Sequence, residues 1–345
     1  MRAAGAAVAR FAALAVVGSP VFFVIHRLAV FNSVPRDDYA GYLLWLLGQP
    51  GGAFPDSPYC YRVLSMVAAM PFMLLPAIPL SNLPPGTDPA WLRATAALSA
   101  LAYFSLVGLF VLGARLGRAR AGLNGGEAAT AGGLLVLLTL YTQITAIDPL
   151  AILLITAGLC VLERPGWFAA LLLASVLVNE KVALVLAIWL TLRCVLDGAD
   201  RRLFWRQWGA AAAAAAVYGA VVRFVPFPGN EYQTTLASLP ATVWENLAAY
   251  GTARGVVLNI LPAGVLLGLG VFAARRGVTA PWFRLTDVLM VPAMLGVALV
   301  LTHLFQAGRL AMHAAPLLVG PVVAGLRGGG LRDDNTTRGP APEET

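Results

Sequence analysis

Two adjacent carboxylates have the type and spacing to act on a hydroxyl group. They stand in Arg36-Asp37-Asp38-Tyr39, soon after the first long apolar run of the chain. A carboxylate can remove the proton of an acceptor hydroxyl and so act as a general base. Asp37 and Asp38 are therefore candidate catalytic residues, although adjacent acids in a loop are also common in solvated turns.

Several cations and hydrogen-bonding side chains elsewhere could stabilise a departing phosphate. Arginine, lysine and histidine compensate the negative charge that gathers on such a leaving group. One base and several cations suffice for transfer from a lipid phosphate, because a phosphate leaves without the help of an acid. The candidate binding residues are Arg36, Tyr61, Arg62, Asp148, Asn179, Glu180, Lys181, His303, Gln306 and Arg309.

Individually, these residues also have structural interpretations. Asp148 precedes a proline and is suited to cap a helix. Glu180 and Lys181 could neutralise each other, and Arg62 could extend to lipid headgroups. The functional interpretation therefore depends on these side chains gathering on one face of the protein.

The composition predicts an integral membrane protein. Of the 345 residues, 59% are hydrophobic and 12% are charged. A soluble chain carries about 25% charged residues, so contact with lipid explains the missing polar surface. The net charge of +7 comes from arginines clustered between apolar runs. The positive-inside rule produces this pattern, so no nucleic-acid partner is predicted.

Ten apolar runs are predicted to cross the bilayer in an all-α fold. They form a single polytopic domain over residues 1–326, and the polar tail 327–345 is predicted to be disordered and cytoplasmic. Gly264 and Gly268 form a GxxxG motif that predicts helix packing within the chain. The predicted spans cover roughly residues 11–31, 91–114, 127–147, 149–162, 166–178, 182–196, 208–226, 255–274, 285–303 and 310–326.

The predicted orientation depends on residues 63–80. This run is long enough to cross, but Pro71, Pro76 and Pro79 interrupt it. Because a crossing here would put eleven arginines on the outer side, we expect a re-entrant or interfacial segment within the first outer loop, 32–90. Both termini are then cytoplasmic, in a bacterial inner membrane. The arginines are Arg115, Arg118, Arg120, Arg164, Arg193, Arg201, Arg202, Arg206, Arg275, Arg276 and Arg284.

Residues 166–178 and 182–196 are predicted to form a helical hairpin joined at Asn179-Glu180-Lys181. One straight helix of the combined length would measure about 43 Å, against about 30 Å of hydrocarbon. Two short helices place the joining triplet at membrane depth. Non-helical backbone and charges are tolerated there only inside protein or beside a cavity.

At these residues the chain resembles the multi-spanning GT-C glycosyltransferases, which use polyprenyl- or dolichyl-phosphate sugars. Members of that family carry an acidic pair or acid-containing motif in the first outer loop, where Asp37 and Asp38 stand. Pro58-Tyr59-Cys60-Tyr61-Arg62-Val63-Leu64 is similar to the P-x-x-Y-R-V-L element of small bacterial members. Asp148-Pro149-Leu150 and Asn179-Glu180-Lys181 resemble later outer-face signatures.

The resemblance implies a GT-C-like fold and an inverting glycosyltransferase. It implies that Asp37 or Asp38 is the base, and that Arg62, Lys181 and Arg309 contact phosphate. The donor would be a polyprenyl-phosphate sugar, with a lipid, glycan or protein as acceptor. No cofactor is assigned, and a divalent cation is left open.

Other proteins that handle lipid-linked glycans offer two alternatives. A transporter or flippase needs polar residues through the membrane, whereas the inner halves of the predicted spans hold few besides Asp287. A polysaccharide polymerase or ligase would carry the same outer cations, so this alternative stays open. A scaffold without activity is the remaining interpretation, if the outer polar groups only satisfy one another.

Overall fold

The computed structural model describes residues 2–32, 42–43, 46–48, 62–78, 88–142, 147–197, 201–224, 239–278, 283–301 and 307–327. Within these ranges the chain is all-helical and forms no strand. Helices α1 to α6 are Arg2–Val17, Ser19–Asn32, Val63–Ala69, Pro89–Ala121, Gly125–Thr139 and Asp148–Val161. Helices α7 to α13 are Pro165–Val176, Lys181–Asp197, Arg201–Phe224, Leu239–Tyr250, Ala253–Arg275, Leu285–Leu301 and Ala307–Leu326.

Helix α4 is the longest described helix, and its sequence specifies both of its ends. Asp88 accepts a hydrogen bond from the amide of Ala90 at 2.9 Å, and Pro89 occupies the first turn, where its missing N–H costs nothing. The helix stops at Gly122, whose φ of 59° favours glycine. Its 33 residues make α4 about 50 Å long, longer than the hydrocarbon core.

The first predicted span, 11–31, is two helices instead of one. Helices α1 and α2 meet at an angle of 59°. Pro20 lies in the first turn of α2, and a proline ring clashes with the carbonyl four residues earlier, so a straight helix cannot pass through it. The hydroxyl of Tyr103, on α4, donates a hydrogen bond to the carbonyl oxygen of Ala15 beside the bend.

Three helices, α4, α11 and α13, are long and apolar enough to cross a membrane, or four spans if the bent α1–α2 pair counts as one. Five more apolar helices have 10 to 17 residues and measure about 15–25 Å. The chain is therefore helical and suited to membrane embedding, while length and composition identify three to four of the ten predicted spans. Val63–Leu74 is one of the short helices, at about 20 Å.

Helices α4 and α13 form the centre of the bundle. In the apolar window of α13, 89% of residues are buried, against 72% in α4 and 33% in α11. Helix α5 crosses α4 closely at Gly132, where a Cβ atom would overlap the carbonyl oxygen of Phe110. Glu127, in the capping box of α5, accepts hydrogen bonds from Arg327 at the end of α13. These contacts hold α13, which carries part of the candidate site, against α4 and α5.

Helix α10 lies between the predicted spans 208–226 and 255–274, where no helix was predicted. It begins with Leu239-Pro240, and proline suits the first turn of a helix. Asn246, which is buried, donates a hydrogen bond to the carbonyl oxygen of Leu299 on α12 at 2.9 Å. Apolar residues four apart, Leu239, Val243 and Leu247, were the available signal.

Candidate functional site

Arg62 and Glu180 form a buried ion pair that joins two distant segments. The guanidinium donates from Nε to Glu180 Oε2 at 3.0 Å and from Nη2 to Oε1 at 2.5 Å. Its Nη1 atom donates to the hydroxyl of Tyr42 at 3.2 Å. The amide of Leu64, at the start of α3, also donates to the carbonyl oxygen of Leu177, at the end of α7. Segment 62–74 is thereby attached to the tip of the α7–α8 hairpin.

Asp148 and Arg309 form a second ion pair of the same type. Asp148 is the first residue of α6 and is fully buried, while the side chain of Arg309 is 14% exposed. Both Nε and Nη2 of Arg309 donate to the carboxylate, the latter at 2.9 Å. A two-point guanidinium–carboxylate contact fixes both side chains in orientation as well as distance.

Lys181 lies between these two pairs, and we call the five charged residues the lysine cluster: Arg62, Asp148, Glu180, Lys181 and Arg309. The ammonium group interacts electrostatically with all four other charges. Within the described residues Lys181 forms no ion pair itself, and it is partly exposed. Three basic and two acidic side chains leave the cluster with an excess of one positive charge, and Lys181 is the member without an ion pair among the described residues.

Two neutral side chains beside Lys181 also keep unused hydrogen-bonding atoms. Asn179 is fully buried; its Oδ1 accepts from the amide of Lys181 at 3.1 Å, and its Nδ2 has no partner within the part of the chain that the structure describes. His313 is fully buried as well, and its Nδ1 lies 3.0 Å from the carbonyl oxygen of Arg309. A carbonyl only accepts, so Nδ1 carries the proton, and Nε2 is an acceptor without a partner among the described residues. Buried polar atoms of this kind are uncommon, and a bound ligand is one explanation for them.

The position of Arg309 is set by a turn of π-helix in α11. Residues Val256–Ile260 form this turn, and such turns occur frequently at functional sites. The Oδ1 atom of Asn259, fully buried, accepts from the amides of Ala307 and Gly308 at 2.9 and 3.4 Å. Asn259 therefore caps the first turn of α13, immediately before Arg309. Asn259 was not among the predicted site residues; the available signal in the sequence was a polar side chain within an apolar run.

Replacement of Gly308 by alanine is expected to lower the activity of the site about 100-fold. A Cβ atom at Gly308 would overlap the carbonyl oxygen of Leu258, and two atoms of Asn259 lie 3.0 Å from it. The first turn of α13 must then move, and a displacement of about 1 Å in a catalytic group can cost a factor of this size. The measurement is the activity of the purified variant relative to that of the parent. Gly264→Ala is the matched control on α11, since its Cβ meets nothing within 4 Å.

The predicted site residues fall into two groups. Six of them belong to the described ranges, and the lysine cluster with Asn179 brings all six together at one end of the bundle: Arg62, Asp148, Asn179, Glu180, Lys181 and Arg309. The remaining six lie outside the residues that the structure describes: Arg36, Asp37, Asp38, Tyr61, His303 and Gln306. Asp148 does not cap its helix; its carboxylate pairs with Arg309.

A second polar group, at the other end of α8, surrounds a buried aspartate with hydrogen-bond donors. Buried Asp287 accepts from Trp189 Nε1 and Arg193 Nη2, both at 2.7 Å, and from the amide of Arg284 at 2.8 Å. Arg193 also pairs with Asp197. We call these residues the aspartate network. The network connects α8 to α12. Its hydrogen bonds compensate the buried charge of Asp287, so no ligand is needed to account for that burial.

Comparisons with protein-family models, with curated proteins and with solved structures find no match for this chain. The chemistry of the site is therefore inferred from its own residues. A partly exposed ammonium group beside the Nδ2 donor of Asn179, which has no partner among the described residues, can bind one anion. The two fixed ion pairs hold the surrounding helices in place.

Proposed function

We propose that this chain is an inverting glycosyltransferase of the GT-C type, which moves a sugar from a polyprenyl-phosphate carrier to an acceptor. The observation that carries the proposal is the ammonium group of Lys181, which lies between two ion pairs at one end of a helical bundle and forms no ion pair itself within the described residues. Its single excess positive charge matches the single negative charge of a lipid-phosphate sugar. Lys181 contacts the phosphate, and Nδ2 of Asn179 donates a hydrogen bond to it.

In this proposal the chain crosses the membrane ten times, with the lysine cluster on the outer face. Helices α6 and α8 both begin at the cluster, and α8 ends at the aspartate network. Arg120, at the end of α4, donates to the carbonyl oxygen of Leu159 near the end of α6. The arginines near the ends of α4 and α8 thus lie at the opposite end of the bundle from the lysine cluster. This placement supports cytoplasmic termini under the positive-inside rule. The length of Val63–Leu74 supports an interfacial or re-entrant segment.

The reaction is a single displacement at the anomeric carbon of the donor. The acceptor hydroxyl oxygen forms the new bond to this carbon while the bond from the carbon to the phosphate oxygen breaks. The hydroxyl proton passes to Asp37 or Asp38, and the bonding electrons leave with the carrier phosphate. That phosphate gains a second negative charge, which the ammonium of Lys181 stabilises in a site with little water. One displacement inverts the anomeric configuration.

A flippase or transporter of lipid-linked sugars is less well supported by the interior of the bundle. A transported polar headgroup needs hydrogen-bonding partners along its path through the membrane. Five buried hydroxyls of α4, α5 and α6 donate to carbonyl oxygens of their own helices, four residues back. These are Thr95, Ser99 and Ser105 on α4, Thr139 on α5 and Thr156 on α6.

The test is the transfer activity of the purified protein, supplied with polyprenyl-phosphate sugars and candidate acceptors. Asp37→Asn or Asp38→Asn is expected to lower the rate about 100- to 10,000-fold, since a general base contributes a factor of this size. Asp333→Asn and Asp334→Asn are the matched controls, because Arg332-Asp333-Asp334 repeats the same local sequence in the tail.

Full transfer by both Asp37→Asn and Asp38→Asn would overturn the assignment of the base. Passage of the intact carrier across vesicles without product would favour the flippase. Use of a diphosphate-linked glycan in place of the monophosphate-linked sugar would favour the polymerase or ligase.

A further inference from the structure

Helix α11 borders a groove that the glycosyl-transfer proposal does not use. The groove has a volume of about 420 Å³ and is lined by Gly268, Val271, Phe272, Arg275 and Arg276. Only 33% of the apolar window of α11 is buried, against 72% and 89% for the other two long spans. One face of this helix is therefore not covered by the described residues.

Within the described residues nothing packs against the GxxxG motif of α11, contrary to the expectation from sequence. A Cβ atom added at Gly264 or at Gly268 meets none of their atoms within 4 Å. The neighbouring side chains of Leu261 and Val271 are 53% and 38% exposed. These residues recur at helical spacing and continue the groove as an apolar strip along α11.

Two exposed arginines close the groove at one end. Arg275 and Arg276 form no ion pair within the described residues, and the guanidinium of Arg276 lies 5.5 Å from the centre of the Phe272 ring. They follow the last turn of α11, at the arginine-rich end of the bundle. A strip of apolar surface that ends in two cations is complementary to a lipid with an anionic headgroup.

We propose that this groove binds one anionic phospholipid. The phosphate contacts Arg275 and Arg276, and an acyl chain lies along Phe272, Val271 and Gly268. A second copy of this chain fits less well. Copies in one membrane share their orientation, so a two-fold contact at the glycines would bring the four arginines to the same depth, where they repel. The groove lies at the opposite end of the bundle from the lysine cluster, so the proposal stands independently of sugar transfer.

The experiment is native mass spectrometry of the detergent-purified full chain with added phosphatidylglycerol. We expect one tightly retained lipid, and Arg275→Gln/Arg276→Gln is expected to weaken its binding about 10- to 30-fold, from about 1 kcal/mol per cation. Gly268→Leu is expected to abolish retention by filling the groove, without disturbing the fold, because its Cβ lies in open space. The matched control is Arg118→Gln/Arg164→Gln, which removes two exposed arginines from the same end of the bundle.

Three outcomes would overturn the proposal. The first is equal retention of phosphatidylcholine, which would show that the arginines do not select an anion. The second is an equal loss of binding in the control double variant, which would show that charge anywhere on this end suffices. The third is a protein dimer that becomes a monomer in Gly268→Leu, which would assign the groove to a second copy of the chain.

Discussion

Replacement of Lys181 by methionine is expected to lower the rate of sugar transfer about 100- to 1,000-fold, the range found when one preorganised donor to a developing oxyanion is removed. Methionine keeps most of the apolar volume of the side chain and removes the ammonium. The other two cations of the lysine cluster, Arg62 and Arg309, are held by carboxylates. They are therefore less able to take over a phosphate whose charge is increasing.

The loss is expected to appear mainly in kcat, because the phosphate acquires its second charge only as the sugar leaves. Steady-state kinetics of the purified variant separate kcat from KM. Lys181→Arg should retain part of the rate, since it keeps the charge with a different geometry. Arg118→Met, which removes an exposed cation at the opposite end, is the control. Transfer within threefold of the parent by Lys181→Met would show that the ammonium does not act on the leaving group.

The second large effect is expected at the buried pair of Asp148 and Arg309. Replacing Asp148 by leucine leaves a guanidinium that is 14% exposed without its carboxylate. Breaking a buried pair in this way costs about 3–5 kcal/mol of the free energy of unfolding. The double variant Asp148→Leu/Arg309→Met is expected to recover most of that loss, because no uncompensated charge remains. It should still transfer sugar poorly, since the pair orients the helices around Lys181.

Unfolding in a denaturing detergent titration measures these differences in free energy. Arg327→Gln is the control, because it breaks the more exposed pair with Glu127, whose side chains are 39% and 22% exposed. Such a pair contributes little to stability, because solvent screens its charges. If the single variant Asp148→Leu is as stable as the parent, the pair of Asp148 and Arg309 does not hold the surrounding helices in place. If the double variant is no more stable than the single variant, the cost arises from lost packing instead of an unpaired charge.

The sequence was informative where one residue type decides the local structure. The hydrophobic composition indicated a helical membrane protein, and the break between α7 and α8 lies at the polar triplet where it was predicted. The bend between α1 and α2 was missed although Pro20 was visible, because the apolar run continues through it. Helix α10 was missed because its apolar face is short and stands beside a polar segment.

The arrangement of the charges could not be predicted from the sequence. Arg62 and Glu180 are 118 residues apart, and Asp148 and Arg309 are 161 residues apart. The sequence therefore suggested three equivalent phosphate contacts, whereas the structure pairs two of the cations and leaves Lys181 without an ion pair among the described residues. Which charges neutralise each other depends on how α3, α6, α8 and α13 pack, and local patterning carries no information about that packing.

Chemical labelling of Lys181 tests the central claim most directly, because it is the single lysine of the sequence. A membrane-impermeant amine reagent is applied to intact spheroplasts, with and without a polyprenyl-phosphate sugar, and the peptide containing Lys181 is quantified by mass spectrometry. We expect labelling from the outside, and protection by the lipid-phosphate sugar but not by the carrier alcohol without phosphate. Labelling only after the membrane is permeabilised, or equal labelling with and without the donor, would contradict the proposed site.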